Sequence, residues 1–296
     1  MLGSSCSSQS QSGGGPAPRP GNYDYSLQVG NLNRTYRVHV PAAYHADRPA
    51  PLVLVFHGGG GNADNMATYY NWIPESDQQG FIVAFPNGTS GPAGLSTWNA
   101  GNCCGYAQSN NVDDIGFVKA ILADMKSKYN VDRSRVFGAG FSNGGMLTYR
   151  LACEMSDQFK AVASVAGTDN DFNCRPSRPV SIMHIHALND ENVPFGGGNG
   201  QGLLGSKVNF TSVAATISKW VAIDKVGSLS QKIPGSQNAY CDLYSGGMAN
   251  TQVELCVTSS DGHSWPGGQK ARAAAATPST AISATYLIWN FFKSQP

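Results

Sequence analysis

Charge is scarce in this chain. Charged side chains make up 13% of its 296 residues, about half of the usual share of roughly 25%. Twenty Lys and Arg residues are matched by 19 Asp and Glu, which leaves a formal net charge of +1 at pH 7. So small a charge gives no long-range field that would attract nucleic acid or an anionic membrane. We therefore expect a neutral small molecule or polymer as the partner.

Long apolar runs and metal-binding motifs are missing as well. No apolar run reaches about 18 residues, so the sequence predicts no transmembrane helix. Paired Cys-x-x-Cys motifs of the kind that bind zinc are not present. The glycine run at residues 57–62 is not followed by the Gly-Lys-Ser/Thr of a phosphate-binding loop. These absences predict chemistry without a metal ion or another cofactor.

Cysteine, in contrast, occurs seven times. Scattered cysteines in a weakly charged chain favour an oxidising compartment, although free thiols in the core of a cytosolic protein are the alternative. Without Cys6, the number is even and allows three disulfides. The six candidates are Cys103, Cys104, Cys153, Cys174, Cys241 and Cys256.

Residues 1–20 consist mainly of Ser, Gln, Gly and Pro. That composition cannot form a packed core, so it predicts a disordered linker ahead of one folded domain at residues 21–296. Cys6 stands where a lipoprotein cysteine would stand, but residues 3–5 match such a cleavage site poorly. We expect a secreted or cell-surface protein, with a lipid anchor at Cys6 as an open alternative.

In the rest of the chain, short apolar runs alternate with amphipathic segments. Apolar runs typical of strands buried on both faces occupy residues 51–56, 81–85, 135–139, 161–166, 180–185 and 252–258. Helical spacing of apolar residues occurs at 113–129, 144–155, 211–223 and 281–292. Residues 36–40 alternate in polarity and predict an antiparallel edge strand. This order predicts an α/β fold with a mostly parallel central sheet and helices on both faces.

The candidate nucleophile is Ser142. It is the central residue of Gly-Phe-Ser-Asn-Gly at positions 140–144, between a predicted strand and a predicted helix. The G-x-S-x-G motif requires this context, because a sharp strand-to-helix turn lifts the hydroxyl above the sheet. The helix N-terminus then directs free N–H groups at the site.

The glycine run HGGGGN at residues 57–62 follows the first apolar strand. Such loops let backbone N–H groups approach a developing oxyanion. We expect the N–H groups of Gly59 and Asn143 to be the donors, with the choice among the glycines at 58–61 open. His57 precedes the nucleophile, so we expect it to order the loop and not to act as a base.

A serine hydroxyl needs a base, and in this type of motif the chain order is serine, acid, histidine. His263 is the base that the sequence predicts, because it lies in a loop just past the last predicted strand. The acid should follow the preceding strand, where Asp190 stands. Asp169 and Glu191 are the alternatives.

Seven motifs together resemble those of the secreted feruloyl esterases and poly(3-hydroxybutyrate) depolymerases. In chain order they are HGGGGN (57–62), FPNG (85–88), TWNAGNCCG (97–105), VDDIGFV (112–118), GFSNGGM (140–146), DENVPF (190–195) and GHSWPGG (262–268). The similarity runs from about residue 36 to the C-terminus. It implies an α/β-hydrolase fold without a large lid, and hydrolysis of carboxylic esters through an acyl-enzyme without a metal. Ala187 departs from the family's H-G-x-x-D pattern, so the turn before the acid is expected to differ.

Alongside this resemblance, Trp98 and Trp265 are candidates for lining the acyl pocket, since aromatic faces hold planar acyl groups. The alternative is that both are core residues. Cys103 and Cys104 are adjacent and are expected not to pair with each other. Their expected partners are the cysteines at 153 and 174, while those at 241 and 256 flank a plausible hairpin and are expected to pair.

The leading hypothesis is a monomeric serine esterase acting on hydroxycinnamoyl (feruloyl-type) or related aryl esters, small or polymeric. A polyester depolymerase, active on poly(3-hydroxybutyrate) or a synthetic aromatic polyester, is the second. A peptidase would use the same triad, but no peptide-binding element is recognisable. A non-catalytic binding module on the same fold is disfavoured by the intact set of candidate catalytic residues.

Overall fold

The computed structural model describes residues 19–171, 173–201, 207–227, 230–234 and 238–296. Most of the predicted linker, with Cys6, lies outside the described residues; only Arg19 and Pro20 lie within them. Among the described helices, none combines the length and apolar character needed to cross a membrane.

The secondary structure alternates strands and helices as the apolar pattern predicts. The strands are β1 Gly21–Val29, β2 Leu32–Val40, β3 Ala50–Phe56, β4 Ile82–Pro86, β5 Thr89–Ser90, β6 Ser96–Thr97, β7 Val131–Phe141, β8 Ala161–Val165, β9 Ser181–Ala187, β10 Gly198–Gln201, β11 Lys207–Phe210, β12 Gln231–Pro234, β13 Ala239–Tyr244 and β14 Val253–Thr258. The helices are α1 Ala63–Tyr69, α2 Trp72–Gln79, α3 Gly105–Ser109, α4 Asp114–Lys128, α5 Asn143–Glu154, α6 Val213–Asp224 and α7 Ala284–Lys293.

One ten-stranded sheet carries the fold, in the order β1-β2-β4-β3-β7-β8-β9-β14-β13-β12. The six strands from β4 to β14 in this order pair in parallel. Antiparallel pairs flank them on both sides. The predicted mostly parallel sheet is therefore confirmed, and its six parallel strands are the six apolar runs.

The predicted edge position of residues 36–40 is wrong. These residues belong to β2, which is antiparallel but pairs with β1 on one side and β4 on the other. The edge is β1, whose side chains alternate between half-buried and exposed. Tyr23, Tyr25 and Leu27 of β1 pack against the core, so this polar-looking segment adds a strand that covers β2.

Two apolar layers lie on opposite faces of the sheet, as the side chains of β3 show. Leu52, Leu54 and Phe56 join the cluster that includes α4, α5 and α6. Val53 and Val55 join the cluster that includes α1, α2 and α7. Successive side chains of a strand point to opposite faces, so helices cover both faces of the sheet as predicted.

The four predicted helices begin and end within a few residues of the expected positions. Side-chain caps define the starts of α4, α6 and α7, whereas α5 has none. Asp113 accepts the N–H of Gly116 at 2.7 Å at α4. Ser212 accepts the N–H of Ala215 at 3.1 Å at α6. Helices α1 and α2 are short and polar and were not predicted.

The disulfides confirm one expectation and overturn another. Cys241 and Cys256 face each other across β13 and β14 and are bonded, as expected. Cys103, however, is bonded to Cys104, and Cys153 to Cys174. The expected cross-pairing fails on distance. The Cys104 sulfur lies 3.8 Å from the sulfur of Met146, and the next seven residues of α5 place Cys153 about 10 Å further along the helix.

We predict that the double substitution Cys153→Ala/Cys174→Ala lowers the free energy of unfolding by about 3 kcal/mol. The bonded residues are 21 positions apart, and a link of this span removes that much entropy from the unfolded chain. Urea unfolding of the wild type and the variant measures the difference, and peptide mapping identifies the linked peptides. A peptide joining Cys104 to Cys153 would contradict the assignment.

Candidate active site

Ser142 occupies a strained turn between β7 and α5. Its backbone has φ 53° and ψ −121°, a region that costs a non-glycine residue about 1–3 kcal/mol. Two backbone hydrogen bonds fix the turn: the N–H of Ser142 donates to the carbonyl of Val165 at 2.8 Å, and the N–H of Met146 donates to the carbonyl of Ser142 at 2.9 Å. The hydroxyl is thereby held at the carboxyl end of the parallel strands.

The flanking glycines allow this turn to close. A Cβ atom on Gly140 would lie 2.3 Å from the carbonyl oxygen of Gly144. One on Gly144 would lie 2.4 Å from the carbonyl oxygens of both Phe56 and His57. All of these neighbours are backbone atoms, which have no side-chain freedom to move away. Glycine is therefore required where the strand, the helix and the loop after β3 meet.

The structure brings the three predicted triad residues together. The Nε2 atom of His263 lies 2.8 Å from the Ser142 hydroxyl, and its Nδ1 atom lies 2.8 Å from Oδ2 of Asp190. A carboxylate only accepts hydrogen bonds, so Nδ1 carries the proton and Nε2 accepts the serine O–H. This tautomer is the one that removes a proton from serine.

Asp190 is buried, with 4% of its surface exposed. Its Oδ1 atom accepts the N–H groups of Asn192 and Val193, both at 2.9 Å. Burial alone would raise its pKa, but hydrogen bonds from His186 and His263 hold the pKa of this carboxyl well below its usual range. Asp190 therefore stays ionised next to the base.

The local turn before Asp190 does not require a glycine. Ala187 is the last residue of β9 and pairs with Thr258, so its backbone continues the strand. Of the alternative acids, Glu191 lines the cleft next to Asp190, but the Nδ1 atom of His263 pairs with Asp190. Asp169 is engaged by the Lys219 ammonium at 2.7 Å and by the indole N–H of Trp220 at 2.9 Å.

The loop after β3 lies against the nucleophile. A Cβ atom on Gly58 would lie 3.3 Å from Cβ of Ser142. The N–H of Gly60 already donates to the Ser96 carbonyl at 2.7 Å, and that of Gly61 donates to the Gly58 carbonyl at 2.9 Å. Within the described residues, the N–H groups of Gly58 and Gly59 have no acceptor. This narrows the candidate oxyanion donors in the loop to two.

Asn143, the second candidate donor, is the first residue of α5, where backbone N–H groups have no partner within the helix. Its side chain is buried and binds Trp98. The side-chain oxygen of Asn143 accepts the backbone N–H of Trp98 at 2.7 Å. The side-chain amide nitrogen of Asn143 donates to the backbone carbonyl of Trp98 at 3.0 Å. The start of the helix is thus tied to the loop that carries Trp98.

The structure places Trp98 outside the cleft. Its side chain is fully buried, and the indole N–H donates to the His57 carbonyl at 2.8 Å. Asp114 supports the same loop by accepting the N–H of Asn99 at 2.7 Å while it pairs with Arg34 at 2.8 Å. Trp98 therefore braces the oxyanion loop from below, which is the core alternative. Sequence reasoning included Asp114 only as part of the VDDIGFV motif and gave it no such role.

Trp265 does contribute to the cleft wall, although only 1% of it is exposed. The cleft has a volume of about 590 Å³, within the range of small-molecule sites. Tyr70 and Phe141 form its aromatic side together with Trp265, with the Tyr70 and Trp265 ring centres 5.1 Å apart. Sequence reasoning missed Tyr70 and Phe141, although Phe141 directly precedes the nucleophile.

The other side of the cleft is polar and includes residues of the irregular segment between β14 and α7. Its polar lining includes Asn65, Asn189, Glu191, Gln269, Lys270 and Arg272. In the part of the chain that the structure describes, no helical insertion covers the site.

Among the described residues, two groups of side chains lie close enough together to bind a metal ion, but both groups contain a disulfide. They are Cys153 with Asp171 and Cys174, and Cys241 with Glu254 and Cys256. Zinc binds thiolate sulfur, so neither group is a metal site while its cysteines are bonded to each other.

His57 orders the loop, as expected. Its Nδ1–H donates to the Gly58 carbonyl at 2.7 Å, and its Nε2 accepts the N–H of Gly88 at 2.9 Å. Complete burial is the main cause that lowers the His57 pKa to about 4. The neutral ring is needed, because a protonated Nε2 would face the Gly88 N–H with a second donor.

We predict that His57 makes the fold acid-sensitive. Its pKa falls from 6.5 to about 4 on folding, so the unfolded chain binds more protons between these pH values. Stability is therefore complete above pH 6.5 and decreases as the pH falls towards 4, by about 3 kcal/mol for this group. Urea unfolding at pH 7 and pH 4.5 should show a smaller decrease in His57→Gln than in the wild type. Equal decreases would contradict the assignment.

Known proteins with similar sequences include enzymes named feruloyl esterase. Feruloyl esterase B from Piromyces equi is 28% identical over 232 residues, which cover 76% of this chain and 42% of that protein. A probable feruloyl esterase C from Aspergillus niger is 32% identical over 170 residues, covering 56% of this chain and 58% of that protein. The chain thus spans about half the length of these relatives.

Solved structures share the fold. An acetyl xylan esterase from Aspergillus awamori superimposes with a TM-score of 0.62 at 15% identity, covering 92% of this chain and 99% of that one. An S-formylglutathione hydrolase from Agrobacterium tumefaciens gives 0.55 at 14% identity, covering 92% and 91%. These likenesses confirm the α/β-hydrolase fold. A family model described as phospholipase/carboxylesterase matches residues 43–203, more than half of the chain. The chain therefore belongs to the phospholipase/carboxylesterase family of α/β-hydrolases.

Proposed function

We propose that this chain is a serine carboxylic ester hydrolase that acts through an acyl-enzyme on Ser142. The observation that carries the proposal is the continuous hydrogen-bonded series from Asp190 through His263 to Ser142, with both contacts at 2.8 Å. The series ends at Ser142, next to the backbone N–H groups of Gly58 and Gly59, which have no acceptor within the described residues. A nucleophile, a base, an acid and an oxyanion site at one place are what acyl transfer requires.

The geometry supports the following steps. The Ser142 oxygen attacks the ester carbonyl carbon while its proton passes to Nε2 of His263. The carbonyl oxygen gains a negative charge, which the N–H groups of Asn143 and Gly59 stabilise, with Gly58 as the neighbouring donor. The imidazolium then protonates the leaving alcohol, and the acyl group stays on Ser142.

Water completes the cycle by the same groups. His263 takes a proton from the incoming water, which attacks the acyl carbonyl and releases the carboxylic acid and the serine hydroxyl. Asp190 stays ionised in both halves of the reaction and stabilises the imidazolium form of His263. The low pKa of Asp190 suits this role.

We propose feruloyl-type aryl esters as the substrate class. Relatives with 28% and 32% identity carry the name feruloyl esterase. The aromatic side of the cleft supports the same choice, because Phe141 lies with its ring centre 4.9 Å from that of His263. A planar aromatic acyl group can stack on such rings. Tyr70 and Phe141 take the role predicted for Trp98, beside Trp265, which was predicted to line the pocket.

We also propose that the protein works as a monomer in an oxidising compartment, secreted or at the cell surface. Three disulfides within the described residues support this location. Attachment of lipid to Cys6 is not part of the proposal.

We predict that Ser142→Ala lowers kcat for methyl ferulate by at least about 10⁴-fold, because the nucleophile is lost. Asp190→Asn should lower kcat by about 10⁴-fold, because an amide stabilises the wrong tautomer of His263. Asp169→Asn is the matched control and should keep its turnover. Ferulate release is measured by absorbance on folded protein.

The same assay decides between substrates. Poly(3-hydroxybutyrate) and an aromatic polyester are offered in suspension beside methyl ferulate. We expect the highest kcat/KM for methyl ferulate. Faster release of acid from a polyester would replace the aryl ester by the polyester alternative, and full activity of Ser142→Ala would refute the mechanism.

A further inference from the structure

Two buried histidines have no part in the mechanism above. His184 and His186 lie two residues apart on β9 and point to the same face of the sheet, with 0% and 1% of their surfaces exposed. Their ring centres lie 5.1 Å apart. Burying polar groups is costly unless they are hydrogen-bonded, so their partners indicate why they are present.

Their partners form a chain that ends at the acid of the triad. The Tyr149 hydroxyl lies 2.6 Å from Nδ1 of His184. Nε2 of His184 lies 3.0 Å from Nδ1 of His186. Nε2 of His186 lies 2.8 Å from the Val193 carbonyl and 3.4 Å from Oδ2 of Asp190.

The last acceptor fixes the direction of every proton in this chain. The Val193 carbonyl only accepts, so Nε2 of His186 carries a proton. Nδ1 of a neutral His186 is then an acceptor, and it takes the Nε2–H of His184. Nδ1 of His184 in turn accepts the Tyr149 hydroxyl. Burial lowers the pKa of His184, which favours the neutral His184 ring that this order needs.

We propose that Tyr149, His184 and His186 are positioning residues that hold the Asp190 carboxylate in place for His263. The inference rests on the proposed function, because it assigns a role relative to the proposed triad. The Nε2–H of His186 donates to the Val193 carbonyl, and the same nitrogen lies 3.4 Å from Oδ2 of Asp190. The hydrogen bonds to Asp190 itself come from the N–H groups of Asn192 and Val193 and the Nδ1–H of His263.

Nε2 of His186 contacts both ends of the short segment that carries the acid. It donates to the Val193 carbonyl at 2.8 Å and lies 3.4 Å from Oδ2 of Asp190. If the proton order were reversed, the lone pair of His186 Nε2 would face two oxygen acceptors. The resulting repulsion would displace the carboxylate that aims His263. The Tyr149 hydroxyl favours the order that the Val193 carbonyl sets, because it donates to Nδ1 of His184.

The test compares two variants of similar size. His186→Met has no donor, whereas the amide nitrogen of His186→Gln stands near the position of Nε2. Loss of the hydrogen bond to the Val193 carbonyl, which holds the segment that carries Asp190, should lower kcat of the Met variant by about tenfold. The Gln variant should recover most of it. Rates are normalised to active sites titrated with a fluorophosphonate, so a loss of folded protein does not count.

The pH profile separates positioning from a general structural role. Without the polar N–H of His186 beside it, the Asp190 charge is less stabilised and attracts the His263 proton more strongly, so the acid limb of kcat/KM should move to higher pH in His186→Met. The charged groups around Asp190, His263 and Tyr149 are unchanged by the substitution. They are Asp261, Glu191, Lys270, Arg272, Asp169 and Lys219.

A readout independent of activity tests the proton order. Nitrogen-15 NMR of the wild type should show His184 and His186 as neutral rings protonated at Nε2. Tyr149→Phe should give mixed tautomers. Tyr129→Phe, which removes a part-buried hydroxyl paired with Tyr25 at 2.7 Å and remote from these histidines, should not.

An Nδ1–H tautomer of His186 in the wild type would overturn the proposal, and so would a wild-type kcat and pH profile in His186→Met. Equal losses in the Met and Gln variants also refute it, because the donor would then not be the cause. Failure of the proposed function would show itself differently, as activity that survives Ser142→Ala.

Discussion

The left-handed turn at Ser142 is the constraint on which the rest of the site depends. A serine with φ 53° persists only where its surroundings leave no alternative. The hydrogen bond from its N–H to Val165 and the backbone contacts of Gly140 and Gly144 provide those surroundings. These contacts require β7, β8 and the loop after β3 to lie side by side, which only the parallel sheet arranges. The turn thus links the fold to the chemistry.

Three buried polar residues around this turn hold the site through their hydrogen bonds. His57 donates to one backbone group and accepts from another, and so fixes the loop that faces the oxyanion. Asn143 joins the start of α5 to Trp98. Asp190, which carries the charge, accepts two backbone N–H groups and the Nδ1–H of His263. In a site of low dielectric such pairing is strong, and an unpaired group would be costly. The site is therefore held in shape before substrate arrives.

Sequence reasoning succeeded where the signal is local. Apolar runs located the six parallel strands, and the order of Ser142, Asp190 and His263 follows from the motifs that end those strands. It failed where the outcome depends on distances across the fold. The polarity of residues 36–40 is typical of an edge strand, but β1 pairs with this strand and covers it. Trp98 lies in the TWNAGNCCG motif, but its side chain is buried beneath the loop. The partners of Cys153 and Cys104 depend on where each meets α5, which spacing along the chain does not reveal. The role proposed for His186 depends on Tyr149 of α5, which contacts His186 through His184.

The formation of an acyl-enzyme on Ser142 tests the account most directly. The protein is mixed with a p-nitrophenyl ester, quenched in acid within milliseconds, digested and examined by mass spectrometry. We predict that the peptide containing Ser142 carries the acyl group and that the adduct accumulates in Asp190→Asn, in which the base is misaligned for hydrolysis of the intermediate. An adduct on another residue, or steady turnover of the ester with no adduct at Ser142 in any variant, would contradict the central claim.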